Sequence, residues 1–289
     1  MTDTAPAPAT AHDRPAAAQD GPATAHDRPD RTVATWVFAV GRAYGAEDLA
    51  GAAGLSAAPV RPLAFAGLTA VVQDVPAALF GREALTERLS DPGELERCAR
   101  AHHAVVTAAA ACGPTVPMAL ATLYLGDERA RAALTADAGR FRAALERVGG
   151  RVEWGVKVYA RPDAAGTRPG VPAGGAPGPD APGAGRAYLE RMRGVQRARE
   201  EGRSSALRTA EEVHAALSAL AVAARRLRPH GPGASGERRT QVLNAAYLLP
   251  ESGADRIAAA VEELRGRAGA GVDIETSGPW VPYSFAGEA

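Results

Sequence analysis

From Asp163 to Gly185 the chain reads DAAGTRPGVPAGGAPGPDAPGAG, with proline or glycine at nearly every other position and no apolar periodicity. A stretch of this kind has nothing to bury and is stiffened by its prolines, so it predicts a semi-stiff linker. It divides the 289 residues into two halves, each long enough to bury a core of its own. Immediately before it, Arg151–Pro162 (RVEWGVKVYARP) alternates Val152, Trp154, Val156 and Val158 with Glu153, Gly155, Lys157 and Tyr159. That period of two predicts a strand with one buried face, closing the first half. Lys157 is the only lysine in a chain that otherwise draws its positive charge from arginine.

The 33 basic and 33 acidic residues cancel, which removes the electrostatic footprint expected of a nucleic-acid binder. Cys98 and Cys112 are too few for a disulfide framework, and on one helix they would stand roughly 21 Å apart. They read as two reduced thiols of a cytoplasmic protein. No run of 18 apolar residues suggests a membrane span, and the N-terminus lacks the basic-then-apolar order of a signal peptide.

Residues 1–31 form a leader of Ala, Pro, Asp and Thr in which PATAHDRP occurs twice. With almost no large apolar side chain it is expected to be disordered, and its isolated His12 and His26 make no preorganised metal site. The first domain, residues 32–162, starts on a strand, TVATWVFAVG, followed by a hairpin of Val60–Phe65 and Leu68–Asp74 about an Ala66-Gly67 turn. Ser90 or Asp91 caps a helix running to about Ala111, with Pro92 in its first turn. On it the adjacent His102 and His103 point about 100° apart, so they cannot chelate one metal, and at most one faces the core. Thr115–Leu120 reads as a short strand. Asp127 is expected to cap a helix carrying Leu134, Phe141, Leu145 and Val148 on one stripe.

Past the linker, residues 186–289 open with a helix from Arg186 to about Arg228, which Gly194 and Gly202 are expected to interrupt. Gly231, Gly233 and Gly236 spell G-x-G-x-x-G, but a helix precedes and a strand follows, the reverse of the order a dinucleotide site requires. Gln241–Leu249, Ala254–Arg267 and Val272–Thr276 read as strand, helix and strand, much of a ferredoxin-like sandwich. The terminal SGPWVPYSFAGEA should be an extended ribbon presenting Trp280, Tyr283 and Phe285 between Pro279 and Pro282. The fold class is therefore α+β: two domains, each a small mixed or antiparallel sheet with helices, the second ferredoxin-like. A P-loop, H-E-x-x-H, C-x-x-C and G-x-S-x-G are all missing, so no catalytic, cofactor or metal residue is assigned.

Several stretches together resemble the gas vesicle protein L/F family (GvpL/GvpF). They are WVFAV at Trp36–Val40, GLTAVVQDVP at Gly67–Pro76, ARAHHAVV at Ala99–Val106 and VPMALATLY at Val116–Tyr124. EWGVKVY at Glu153–Tyr159, VLNAAYLLP at Val242–Pro250 and SGPWVPYSFA at Ser277–Ala286 complete the set. Where VPMALATLY stands the family usually carries an Arg-Phe-Gly segment. The resemblance implies two α+β domains and an accessory or minor structural role in gas vesicle assembly, in the cytoplasm and at the vesicle. It also implies contact with the small amphipathic shell protein and other accessory proteins, with no catalytic residue to carry over. Trp280, Pro282, Tyr283 and Phe285 are the expected partner contacts, with Trp154 and Lys157 next. The alternatives are a regulatory module holding a small ligand between paired ferredoxin-like domains, and an enzyme whose site carries no known motif.

Overall fold

The computed structural model describes residues 33–161, 184–229, 239–269 and 271–287. The leader, the Gly231–Gly236 loop and most of the Pro/Gly-rich stretch lie outside the described residues.

The first sheet is built on β1 (Val33–Gly41), whose β-branched and aromatic run is buried almost throughout. A register shift between Val37 and Ala39 breaks its alternation, so Trp36, Phe38 and Ala39 serve one core while Val37 and Val40 serve another. The hairpin forms as expected from β2 (Val60–Phe65) and β3 (Leu68–Pro76). Its turn residues Ala66 and Gly67 both have positive φ, the backbone a two-residue hairpin loop demands. With β4 (Thr115–Pro117) the strand order is β2-β3-β1-β4, and the two-residue β5 (Leu123–Tyr124), which carries no period of its own, also pairs with β1.

Two short helices, α1 (Ala77–Phe80) and α2 (Arg82–Ser90), lead into α3 (Pro92–Ala111). The Asp91 carboxylate accepts from the Glu94 N–H and caps α3. The helix expected to start at Asp127 divides at Asp137 into α4 (Asp127–Ala136) and α5 (Ala138–Val148). Asp127 does not cap it: Gly126 holds that position, and the carboxylate instead takes both ends of the Arg61 fork at 2.9 Å and the Thr35 hydroxyl.

Arg151–Ala160 is a strand, β6, but it does not belong to the first sheet. It lies inside the second, of order β7-β8-β6-β9, where β7 is Ala223–Arg226, with β8 (Thr240–Pro250) beside it on one side and β9 (Val272–Trp280) on the other. We therefore propose that the division between the two units falls at Gly149-Gly150, rather than after Pro162. The Pro/Gly-rich stretch is then a connection within the second unit, leading from β6 to α6 (Ala184–Leu220). That helix continues through Gly194 and Gly202, and its expected last turn is instead a strand, β7 (Ala223–Arg226). With α7 (Ala254–Arg267) the order β6-α6-β7-β8-α7-β9 and the all-antiparallel sheet make the ferredoxin-like βαββαβ unit, complete only when β6 is counted in it.

The halves share a core. Val37, Phe65 and Val72 of the first sheet, Leu134, Phe141 and Leu145 of α4 and α5, and Ala246 and Leu248 of β8 form one hydrophobic cluster. On its other face β8 turns Leu243, Ala245, Tyr247 and Leu249 to α6 and α7, so this strand is buried on both sides. Helices α4 and α5 are thus the middle layer between two sheets.

Candidate functional site

The C-terminal segment returns to the junction of the units. Trp280 ends β9 opposite Glu153 of β6, and Tyr283–Ala286 forms a single helical turn, α8, in place of an extended ribbon. The turn is clamped at both ends. Glu153 accepts from the Ser284 N–H at 2.7 Å and from its hydroxyl at 2.6 Å, while Arg147 of α5 donates to the carbonyls of Phe285 and Gly287. Phe285, 4% exposed, enters the shared core.

Beside this clamp lies an open groove of about 680 Å³. Its floor is the face of α3 carrying His103, Thr107 and Ala111, and one wall is the start of β6 at Arg151 and Val152. Pro279, Trp280, Val281 and Pro282 form the other. Trp280 is 44% exposed, its ring 5.6 Å from the His103 ring and edge-on to it. Tyr283 sits 5.9 Å from the same imidazole, its hydroxyl 3.4 Å from His103 Nδ1, and burial pushes its pKa up to about 12.

Of the residues expected to make contacts, Trp280, Pro282 and Tyr283 come together here. Phe285 is next to them but packs inward. Trp154 lies on the opposite face of β6, packed against the α6/α7 core, where its indole N–H has no hydrogen-bond partner. Lys157 is half-buried further along β6, between Asn244 and Glu275 of the neighbouring strands, and does not reach the groove. His103 and Glu153 went unassigned in the sequence. One signal for the first was the adjacent histidine pair: His102 is buried and His103 turns to the groove, as helical spacing requires.

Glu153 is nearly fully buried, and desolvation raises its pKa above the usual carboxylate value, against the opposing pull of the two Ser284 hydrogen bonds and of Arg225. An acid whose folded pKa is raised stabilises the fold below its unfolded pKa and loses that contribution as pH rises through the folded one. The difference in unfolding free energy between Glu153→Gln and the native protein should therefore move in favour of the variant as pH rises from about 4.5 to 8. Denaturant titrations at several pH values measure it, and a pH-independent difference would show that the carboxylate stays ionised without cost.

Among the described residues no three His, Cys, Asp or Glu side chains converge as metal ligands, and no helix is long and apolar enough to cross a membrane.

The gas vesicle synthesis protein GvpL/GvpF family profile matches residues 34–287. Gas vesicle protein L of Streptomyces sp. (strain CB03234) is 39% identical over 254 residues, covering 88% of this chain and 93% of its own. The crystal structure of the gas vesicle protein GvpF from Anabaena sp. PCC7120 superposes with a TM-score of 0.60 at 16% identity, over 89% of this chain and 98% of that one. For GvpF from Microcystis aeruginosa the TM-score is 0.57 at 15% identity, over 88% and 99%. The last two establish a shared fold, and the first two a shared descent along nearly the whole described chain: it belongs to the GvpL/GvpF family of gas vesicle proteins.

Proposed function

We infer that this protein is an accessory or minor structural component of gas vesicle assembly. On this reading it works in the cytoplasm and at the vesicle, and uses the groove beside the C-terminal clamp to hold apolar segments of the small amphipathic shell protein or of other accessory proteins. The single observation that carries the reading is the half-exposed Trp280, supported from behind by His103 and set in an apolar groove where the two units meet. An aromatic anchor beside a pocket is the usual centre of a binding surface. Pro114, Pro279 and Pro282 line the groove and offer no N–H, which favours side-chain anchoring over addition of a strand. Two of the polar groups that line the groove are engaged with the fold. His103 is turned to Tyr283, and Arg151 donates to the carbonyls of Glu146 and Arg147 at the end of α5.

The test is capture of purified shell and accessory gas vesicle proteins by the full chain and by Trp280→Ala. Capture weakened at least tenfold in the variant, with the melting temperature lowered by no more than about 4 °C, is expected. A folded native protein that captures none of them would reject the assignment. The groove, whose volume falls within the range of small-molecule sites, would then be screened for metabolites that raise the melting temperature.

A further inference from the structure

Helix α6 spans 37 residues, about 55 Å, yet among the described residues only its C-terminal half is packed. Ala206, Ala210, Val213 and Leu217 are buried on the second sheet and α7. The same face continues towards the N-terminus through Gly202, Val195, Met192 and Tyr188, seven, three and four residues apart, a spacing that fits a coiled-coil seam, with Leu189 beside it. Here the seam is uncovered: Tyr188 is 58% exposed, Leu189 55% and Met192 47%, and Leu189 and Met192 border a shallow depression of about 250 Å³ with Arg193, Gln196 and Arg197.

Among the described residues nothing covers this seam. The stretch 162–183 contains one aliphatic side chain larger than alanine, Val171, apart from its prolines, and residues 1–32 contain none but Met1. A second copy is disfavoured by charge. Residues 186–203 hold six arginines against three glutamates, a net charge of +3 in a chain whose total is zero, so two such segments would repel. An anionic lipid surface fits less well, because the stripe is narrow, lacks Trp and Phe, and is interrupted by Glu190, Glu200 and Glu201.

We propose that the N-terminal half of α6 is a docking surface for an amphipathic helix of another protein whose apolar seam is flanked by acidic residues. This surface is separate from the groove at Trp280 and does not depend on the role assigned to that groove. It extends the packed face of the second unit by about five helical turns, with the partner aligned along α6 and its carboxylates set against the arginines.

A labelled four-heptad peptide with leucine at the seam positions and glutamate flanking them is the probe, read by fluorescence anisotropy against the full chain. The same peptide with lysine flanks is its control. The acidic peptide is expected to bind at least tenfold more tightly than the basic one. Tyr188→Ser with Met192→Ser, which changes no charge and touches only exposed positions, should weaken that binding at least tenfold at an unchanged melting temperature. Equal affinity for both peptides, or full binding by the double variant, overturns the proposal, the second by showing attraction without a seam. Two other results would reassign the surface: flotation with phosphatidylserine vesicles but no peptide binding, or a concentration-dependent dimer that the double variant abolishes.

Discussion

Phe285→Ala is expected to lower the unfolding free energy by about 3–5 kcal/mol, the range for emptying a buried phenylalanine site. The phenyl ring lies in the cluster shared by both sheets, α4 and α5, so the cavity would open where the units meet. Trp280→Ala, five residues earlier but nearly half exposed, should cost about 1 kcal/mol or less in stability. The two substitutions separate packing from binding within one short segment. Urea titrations measure the first and partner capture the second. A Trp280→Ala protein as unstable as Phe285→Ala would make the indole a structural residue and remove the anchor from the proposed surface.

The other large effect is expected at His102. Trp36, fully buried, donates its indole N–H to His102 Nδ1 at 3.1 Å, and His102 Nε2 stands 3.1 Å from the Met118 carbonyl, so the neutral ring with its proton on Nε2 satisfies all three groups. Burial lowers the imidazole pKa to about 4, outweighing the Met118 carbonyl, which raises it, and the neighbouring His103 lowers it further. For a base held below its unfolded pKa, the stabilisation is complete above about pH 6.5 and is lost as pH falls towards 4. At about 1.4 kcal/mol per unit the loss is about 3 kcal/mol. His102→Ala should cost a similar amount or more at neutral pH, because it leaves the Trp36 N–H unpaired as well as a cavity. His102→Gln can accept from Trp36 and donate to Met118, so it should be milder and should flatten the acid limb of the stability profile. An unchanged limb in that variant would place the acid sensitivity elsewhere.

What could be read from the chain beforehand was whatever is settled locally. The hairpin about Ala66-Gly67 and the Asp91 cap depend on neighbours within a few residues and formed as expected. In contrast, β6 formed as a strand without the expected division of its faces: Glu153 is buried, and Val152 and Trp154 are only half-buried. What escaped depends on partners far along the chain. Ala223–Arg226 has the composition of a helix end, and only the hydrogen bonds waiting on β8 make it a strand. Asp127 looks like a cap until Arg61, 66 residues earlier, takes its carboxylate. At the candidate site the aromatic residues stood out, whereas the clamp did not. Glu153 and Ser284 are 131 residues apart, and nothing near either announces the other. The same applies to the sheet that claims β6: alternation identifies a strand, and its partners are a matter of topology.

The position of β6 has a consequence for how the protein is made. It follows α5 after two glycines, but its hydrogen-bonding neighbours begin at Thr240 and Val272. At about 5–20 residues per second, a ribosome needs roughly 4–16 s after finishing β6 to deliver the first residue of β8, and longer for β9. During that interval the nascent chain carries a strand with two bare edges, one of whose faces bears Trp154, Val156 and Val158. The stretch encoded directly after it is rich in proline, which lacks an N–H, and in glycine, which weakens a strand, so its composition disfavours false pairing with β6 before its own partners emerge.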